Sequence, residues 1–353
     1  MAARVNRTLE RERRAFDKGE TISVRRPATF TADDAPGSTV QDIATETVTL
    51  TLDTWKEVTY ALTDKELAWS SEQVVAEHIM PAAYAIADAI DQSLCARYKD
   101  VPWFTDLTAT PIYGDIVDVR KVMFDNKVPL ADPTKLHFMC DGATSAAFLK
   151  ESAFSQYQGA GDTGISTQMR GQIGMKGGLN LFEAQNVQTH TKGTASTGTL
   201  ALTADADRGA TSVGMDAVSV TGTLVAGDTF VIAGNSQRYS VTATSTASGN
   251  TFTTVSFTPG LAQDHLNNDV VTVSLDNHTA NLAFHRDAFA LVVAPLTDNT
   301  PGAATFTATD PVSGLSVRAC RQWNVTTKKN TISLDALWGV KTLNPNLAVR
   351  ARG

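Results

Sequence analysis

Between residues 191 and 279 the chain changes character. Those 89 residues hold ten charged side chains, namely Lys192, Asp205, Asp207, Arg208, Asp216, Asp228, Arg238, Asp264, Asp269 and Asp276, and no glutamate. The other 264 positions carry 57 charged residues, about twice the density. Thr, Ser, Val and Gly dominate the segment, and apolar residues alternate in short runs: 217–220, 229–232, 239–242, 251–255 and 270–273. Turn formers such as Ala226-Gly227-Asp228, Ala233-Gly234-Asn235 and Ser248-Gly249-Asn250 separate them. Short period-two runs at regular spacing predict a β-sandwich or small barrel. The sequence on both sides mixes helical and strand patterns, so residues 191–279 are expected to be an all-β domain inserted into an α+β domain.

The flanks read as follows. Residues 1–19 are charged and form an N-terminal arm, with Arg4, Arg7, Arg11, Arg13 and Arg14. Thr21 to Val24 and Thr47 to Leu52 alternate with β-branched residues and predict two strands. The turn-forming cluster at 31–38 between them makes these the arms of a long hairpin. An isolated two-stranded hairpin is marginal in water, so this one needs a partner surface in its own chain or in a neighbour. Val75, Ile79, Ala83, Ile86, Ile90 and Leu94 recur at helical spacing and predict a long helix over 71–99, capped by Ser70 or Ser71. Pro81 falls inside that span, where an interior proline costs about 3 kcal/mol, so the helix either bends or restarts there. A second helix is expected over 115–126, a buried strand over 136–140 and a third helix over 143–150. Seven glycines within 159–178 match no phosphate-binding pattern and predict tight turns in a loop. Residues 282–284, 289–293, 315–323 and 331–349 return to buried, β-like patterns.

Chemistry is sparse. The net charge is −7, which disfavours tight binding of nucleic acid through bulk charge. No apolar run approaches the roughly 20 residues of a membrane helix, and the N-terminus lacks the apolar core of a secretory signal. Cys95, Cys140 and Cys320 have neither disulfide-framework nor zinc spacing and are expected buried and unpaired, in a reducing compartment. None of the six histidines stands in a metal-binding motif. His285 and Asp287 make the one conceivable acid–base pair, and a surface turn accounts for them. Asp33 and Asp34 suit a hairpin tip. Asp205 and Asp207 resemble part of a calcium loop that lacks its glycine and distal glutamate. The five tryptophans are scattered and expected in cores. No catalytic, cofactor or metal constellation emerges, which shifts weight toward a structural role.

The order of parts carries more information than any motif. Arm, hairpin, long helix, α+β core, glycine-rich stretch, β insertion and return to the core together resemble the major capsid proteins of tailed bacteriophages, with the Hong Kong ninety-seven fold. In particular they resemble short-tailed-phage coat proteins that carry an inserted β-barrel. Residues 19–28 look like the strand entering that family's extended loop, and 77–83 like the start of its spine helix. Residues 126–129 with 136–138 resemble the helix-to-strand step of the axial domain, 227–234 a strand pair of the insertion, and 338–343 with Pro345 the C-terminal strand.

The resemblance implies an arm over 1–19, an extended loop over 20–66, peripheral and axial domains over 67–190 and 280–353, and the barrel over 191–279. It implies a non-enzymatic shell protein that forms pentamers and hexamers of an icosahedral virion capsid, assembled in the bacterial cytoplasm without membrane contact. It implies scaffolding and portal proteins, double-stranded DNA held without sequence reading, and a decoration protein as partners. On this reading Arg25, Arg26, Asp33 and Asp34 of the hairpin and Asp205, Asp207 and Arg208 of the insertion are candidate inter-subunit contacts, with ordinary solvated surface as the alternative. The arm's arginines would meet acidic groups of a neighbour rather than phosphate. The insertion could instead serve folding. A β-rich adhesin whose insertion recognises a ligand is the competing class, and a hydrolase built on His285 and Asp287 a third.

Overall fold

A computed structural model describes residues 1–8, 21–25, 35, 47–63, 75–156, 167–171, 173–296, 303–310 and 315–353. Its contacts divide the chain into two units. One comprises Met1–Val5, Asp91–Phe289 and Asn344–Gly353; the other comprises Asn6–Ile90 and Ala290–Leu343.

In the second unit, Thr21–Arg25 pairs antiparallel with Thr47–Thr51, Thr21 opposite Thr51 and Arg25 opposite Thr47. Alternation sends Ile22, Val24 and Leu50 to one side, where they join Leu52, Ala290, Val292, Ala294, Leu337 and Leu343. The base of the hairpin therefore finds its partner surface within its own chain. Gly339 is the point of closest approach, since a Cβ there would lie 2.2 Å from the Thr51 carbonyl oxygen. The hairpin continues into Thr54–Thr63, a strand the sequence reading missed. It runs antiparallel to Lys329–Thr342 over ten residue pairs, from Thr54 opposite Trp338 to Thr63 opposite Lys329. Ser316–Asn324, Ala304–Thr309 and Phe289–Ala294 complete that five-stranded sheet.

The long helix is α-helical over Met80–Cys95, with a π turn at Val75–Ile79 before it and a 3-10 turn at Ala96–Asp100 after it. Pro81 stands at the second α-helical position, directly after the π turn, so the helix changes type where the proline falls. Ala82, Ile86, Ile90 and Leu94 form its buried stripe. The expected caps Ser70 and Ser71 lie outside the described residues.

In the first unit, a mixed sheet runs in the order Phe104–Asp106, Ala348–Arg352, His278–His285, Leu136–Cys140, Leu179–Glu183 and Met175–Lys176, with Thr189–His190 paired to His278–His285. Helices Tyr113–Asp125 and Gly142–Lys150 follow the short strands that lead into them. Asp115 accepts hydrogen bonds from the Ile112 N–H at 2.8 Å and the Thr108 hydroxyl at 2.9 Å. Asp141 accepts from the N–H groups of Ala143 and Thr144. Both carboxylates satisfy donors at a helix start. Ile116, Val119 and Met123 meet Phe138, Phe148, Phe154, Leu179, Val349 and Ala351 in one core. Cys95 and Cys140 are buried, as expected, whereas Cys320 is half-exposed.

The insertion is a closed antiparallel barrel in the order Ser212–Asp216, Thr251–Thr258, Arg238–Val241, Thr229–Ile232, Val270–Ser274 and Thr199–Leu202. Closure leaves no open edge. Phe230, Tyr239, Phe252 and Phe257 fill its interior with Leu200, Leu202, Ile232 and Val271. One expected strand is displaced. Residues 217–220 form a loop, with Val218 99% exposed, and the strand lies at Ser212–Asp216. Gly214 sits there at a register shift between Val213 and Met215, and a Cβ on it would approach the Thr203 hydroxyl to 2.3 Å. The glycine that this close approach requires also broke the alternation that would have revealed the strand.

Candidate assembly surfaces and the barrel joint

The chain enters the barrel after Thr189–His190 and leaves it before His278–His285. These crossings lie side by side, His190 opposite His278 and Thr189 opposite Thr279. The C-terminal strand Ala348–Arg352 passes beside them and alternates in role. Val349 and Ala351 face the core, while Arg350 and Arg352 reach the barrel.

Arg350 is 1% exposed. Its Nε donates to the Val101 carbonyl at 2.7 Å, Nη1 to the Gly227 carbonyl at 2.7 Å, and Nη2 to the Ser240 hydroxyl at 3.1 Å. Ser240 in turn donates to the Lys99 carbonyl at 2.5 Å. Burial pushes the Arg350 pKa down to about 10, so it remains a cation at neutral pH. Nearby, buried Asp228 accepts from the N–H groups of Val225 at 2.8 Å and Gly193 at 3.1 Å. Its other oxygen lies 3.1 Å from His190 Nε2, and His190 Nδ1 lies 3.2 Å from the Tyr98 hydroxyl. Gly227 makes room for this, because a Cβ there would lie 2.9 Å from the His190 ring. Arg352 is held by Asp106 at 2.6 Å and Asp276 at 3.2 Å, with its guanidinium 3.5 Å from the centre of the Phe104 ring. One five-residue strand therefore fastens the barrel to the core. The sequence reading did not find this hub. Its only signal was Arg350 and Arg352 alternating with apolar residues in a strand at the chain's end.

The residues singled out from sequence fare differently. Arg26, Asp33 and Asp34 lie outside the described residues, as do Arg11, Arg13 and Arg14 of the arm, and Arg25 is placed only as the last residue of its strand. Asp205, Asp207 and Arg208 occupy an exposed loop between Thr199–Leu202 and Ser212–Asp216. Asp205 accepts from the Asn267 N–H at 2.7 Å, and the Arg208 N–H donates to Asp264 at 2.7 Å, so the loop is braced against residues 264–267. Among the described residues the Asp207 carboxylate and the Arg208 guanidinium have no ion-pair partner.

At the start of the expected arm Arg4 packs within its own chain: its guanidinium lies 4.0 Å from the Phe182 ring centre, Val5 is fully buried, and the Met1 amine pairs with Asp91 at 2.7 Å. His285 is buried rather than on a surface turn. Its Nδ1 accepts from the Asp287 N–H at 3.2 Å and caps the turn Arg286–Ala288, which occupies the nitrogen a general base would use.

Exposed apolar side chains escaped the sequence reading. Tyr113, Val117 and Phe124 stand outward on helix Tyr113–Asp125, opposite its buried face, and Trp55, Phe306, Trp323 and Val325 stand out from the five-stranded sheet. Trp55 and Trp323, expected in cores, are exposed instead. No group of three or more His, Cys, Asp or Glu side chains able to hold a metal occurs among the described residues. No helix among them is long and apolar enough to cross a membrane.

No protein-family model and no curated protein matches the chain. Solved structures do. A Mycobacterium phage Che8 structure matches at a TM-score of 0.52 with 15% identity, over 98% of this chain and 88% of that one. The capsid structure of the cyanophage P-SCSP1u matches at a TM-score of 0.50 with 12% identity, over 99% and 86%. The class of fold is therefore the α+β capsid fold of tailed phages, here with an inserted all-β barrel. The likeness runs through fold and not through sequence.

Proposed function

We propose that this chain is the major capsid protein of a tailed bacteriophage, a structural protein without enzymatic activity whose copies close into an icosahedral shell around double-stranded DNA. The observation that carries the reading is coverage. A match over 98% of the chain to a phage structure takes in hairpin, helix, sheets and barrel together rather than one common module. The surface suits the role: contacts that recur by symmetry can be individually small, and the exposed apolar residues are spread over several elements. Pentamers and hexamers are the assembly units, the virion capsid is the location, and scaffold, portal and decoration proteins are the partners. The hairpin ends at Arg25 and Arg26, and the loop carrying Asp207 and Arg208, supply charged contacts that set register between copies.

Negative-stain electron microscopy with light scattering tests the reading, on the purified chain alone and with a candidate scaffold protein. Closed particles, or rings of five and six, are expected. A chain that stays monomeric in both samples overturns the proposal. Reversing Arg25 and Arg26 together is expected to lower particle yield, and deleting residues 204–209 to reduce shell stability. Unchanged particles would remove those residues from the contacts.

A further inference from the structure

The two strands that carry the chain into and out of the barrel meet at a pair of histidines. The His190 and His278 ring centres are 5.0 Å apart, and both side chains are buried. His278 Nδ1 lies 2.9 Å from the Asp276 carbonyl oxygen, so Nδ1 carries the hydrogen and Nε2 is the basic nitrogen. That Nε2 is buried with no hydrogen-bond partner among the described residues. A proton added there would find no acceptor.

The surroundings sharpen the point. From the C-terminal strand, Arg350 and Arg352 bear on His278 as cations; from the partner strand, His190 does the same when charged. From its own loop, Asp276 offers only its backbone oxygen, since its carboxylate is engaged with Arg352 and the Ser274 hydroxyl. Asp228, on the barrel side, is saturated by His190 and by the N–H groups of Gly193 and Val225. Tyr98 and Asp100, on the 3-10 turn, act on Arg350. Among the described residues the cluster holds two permanent cations, Arg350 and Arg352, and its carboxylates Asp228 and Asp276 are already engaged with His190 and Arg352, so none is left for a charged His278.

We infer that this joint is an acid-sensitive latch: it holds the barrel on the core while His278 is neutral and releases it when His278 takes up a proton. Burial first, and then the neighbouring arginines, push the His278 pKa down from 6.5 to about 4 in the closed joint. Opening to water restores the ordinary value. The open state therefore binds the proton more readily, and acid favours opening. From these two values the ratio of closed to open joint falls about 30-fold between pH 8 and pH 5 and about 150-fold by pH 4. Strand Thr229–Ile232 makes the control, since Phe230 and Ile232 are buried in the barrel's apolar cluster. The inference does not depend on whether the chain builds shells.

Hydrogen–deuterium exchange on the full chain tests it, read as protection factors after correction for the intrinsic pH dependence of exchange. Thr279 N–H bonds to the Gly353 carbonyl and Ala280 N–H to the Gln188 carbonyl, so both amides report on the joint. Their protection is expected to fall about 30-fold from pH 8 to pH 5 while that of strand Thr229–Ile232 holds. His278→Asn keeps a donor toward the Asp276 carbonyl and cannot titrate, and it is expected to abolish the fall. Joint protection that is flat across this range, or a fall that persists in His278→Asn, overturns the latch. Should that variant not fold, histidine NMR on the wild type decides. The His278 ring is expected neutral at pH 5.5, and a charged ring at that pH with the joint still protected refutes the proposal.

Discussion

Replacing Arg350 with methionine tests the hub most directly, because it keeps much of the side chain's bulk and removes its five N–H donors. Three acceptors lose their donor: the carbonyls of Val101 and Gly227 and the Ser240 hydroxyl. Ser240 retains its own bond to Lys99, so two buried carbonyls bear the loss. A buried polar group left unsatisfied costs about 1–3 kcal/mol, giving roughly 2–6 kcal/mol. Relief from burying a guanidinium offsets part of this, and we expect a net loss of about 3 kcal/mol, more than 100-fold in the equilibrium constant. Arg352→Met is the internal control. Its partners Asp106 and Asp276 are mostly exposed, and exposed ion pairs contribute about 0–1 kcal/mol. Urea unfolding should show the Arg350 variant weakened severalfold more than the Arg352 variant, with limited proteolysis cutting first near residues 190 and 278. Equal losses in the two variants would refute the reasoning that burial and the carbonyl cage give Arg350 its weight.

Three further outcomes are expected. Gly339→Ala forces a Cβ to 2.2 Å from the Thr51 oxygen, and the forced shift should destabilise the hairpin's seat by about 1–3 kcal/mol, seen as early proteolysis within residues 47–63. Gly222→Ala combines a φ of +92° with a Cβ 2.1 Å from the Thr194 carbonyl oxygen; it should lower the thermal midpoint, while a neutral result would mean that the 193–195 turn yields freely. His137 is pushed down to about 4 by burial and by Arg4, so its folded form resists a proton that the unfolded chain accepts. Its contribution is full above pH 6.5 and is lost as pH falls toward 4. His137→Phe should therefore flatten the urea midpoint against pH over that window, and an unchanged slope would place the pH dependence elsewhere.

Sequence disclosed the fold wherever burial on one face imposed a period. The stripe around Ile86, Ile90 and Leu94, the buried run 136–140 and the hairpin of Thr21–Arg25 with Thr47–Thr51 were all legible, and so was the barrel as a block of low charge. Thr54–Thr63 was overlooked although Val58, Tyr60 and Leu62 alternate with exposed Glu57, Thr59 and Ala61; the signal covers only half of the strand, since exposed Trp55, Lys56 and Glu57 break it at the start. Ser212–Asp216 was missed because close approach put a glycine in its middle. The hub was illegible for a different reason. Arg350 is a charged residue whose partners are main-chain carbonyls at 101 and 227 and a hydroxyl at 240, and carbonyl acceptors leave no mark in a sequence. Among the candidate contacts chosen by charge, Asp205 is a similar case. Within the chain it accepts from the Asn267 N–H, 62 residues away, and a partner that distant in sequence is not legible from the residues around Asp205.

The position of Arg350 in the chain also orders events during folding. The barrel strands run from Thr199 to Ser274 and enclose their own apolar core, so the barrel has what it needs to form once residue 274 is made. The cage that receives Arg350 is then half built, with the Gly227 carbonyl and the Ser240 hydroxyl supplied by the barrel and the Val101 carbonyl by the core. The guanidinium that joins them is made later, 76 residues after Ser274. Domains tend to fold as units in order of synthesis, and non-local contacts must overcome loop-closure entropy before they stabilise anything. An early barrel shortens the effective loop between residue 190 and residue 278 to the single strand pair His190–His278. A barrel formed at that stage would prealign the two crossings of the sheet on which strand Ala348–Arg352 pairs. A chain truncated before Arg350 should accordingly keep a folded barrel, read as protected amides in Thr229–Ile232, and lose protection at Thr279 and Ala280. Loss of barrel protection in that truncation would show that the C-terminal strand is needed to form the barrel and not only to fasten it.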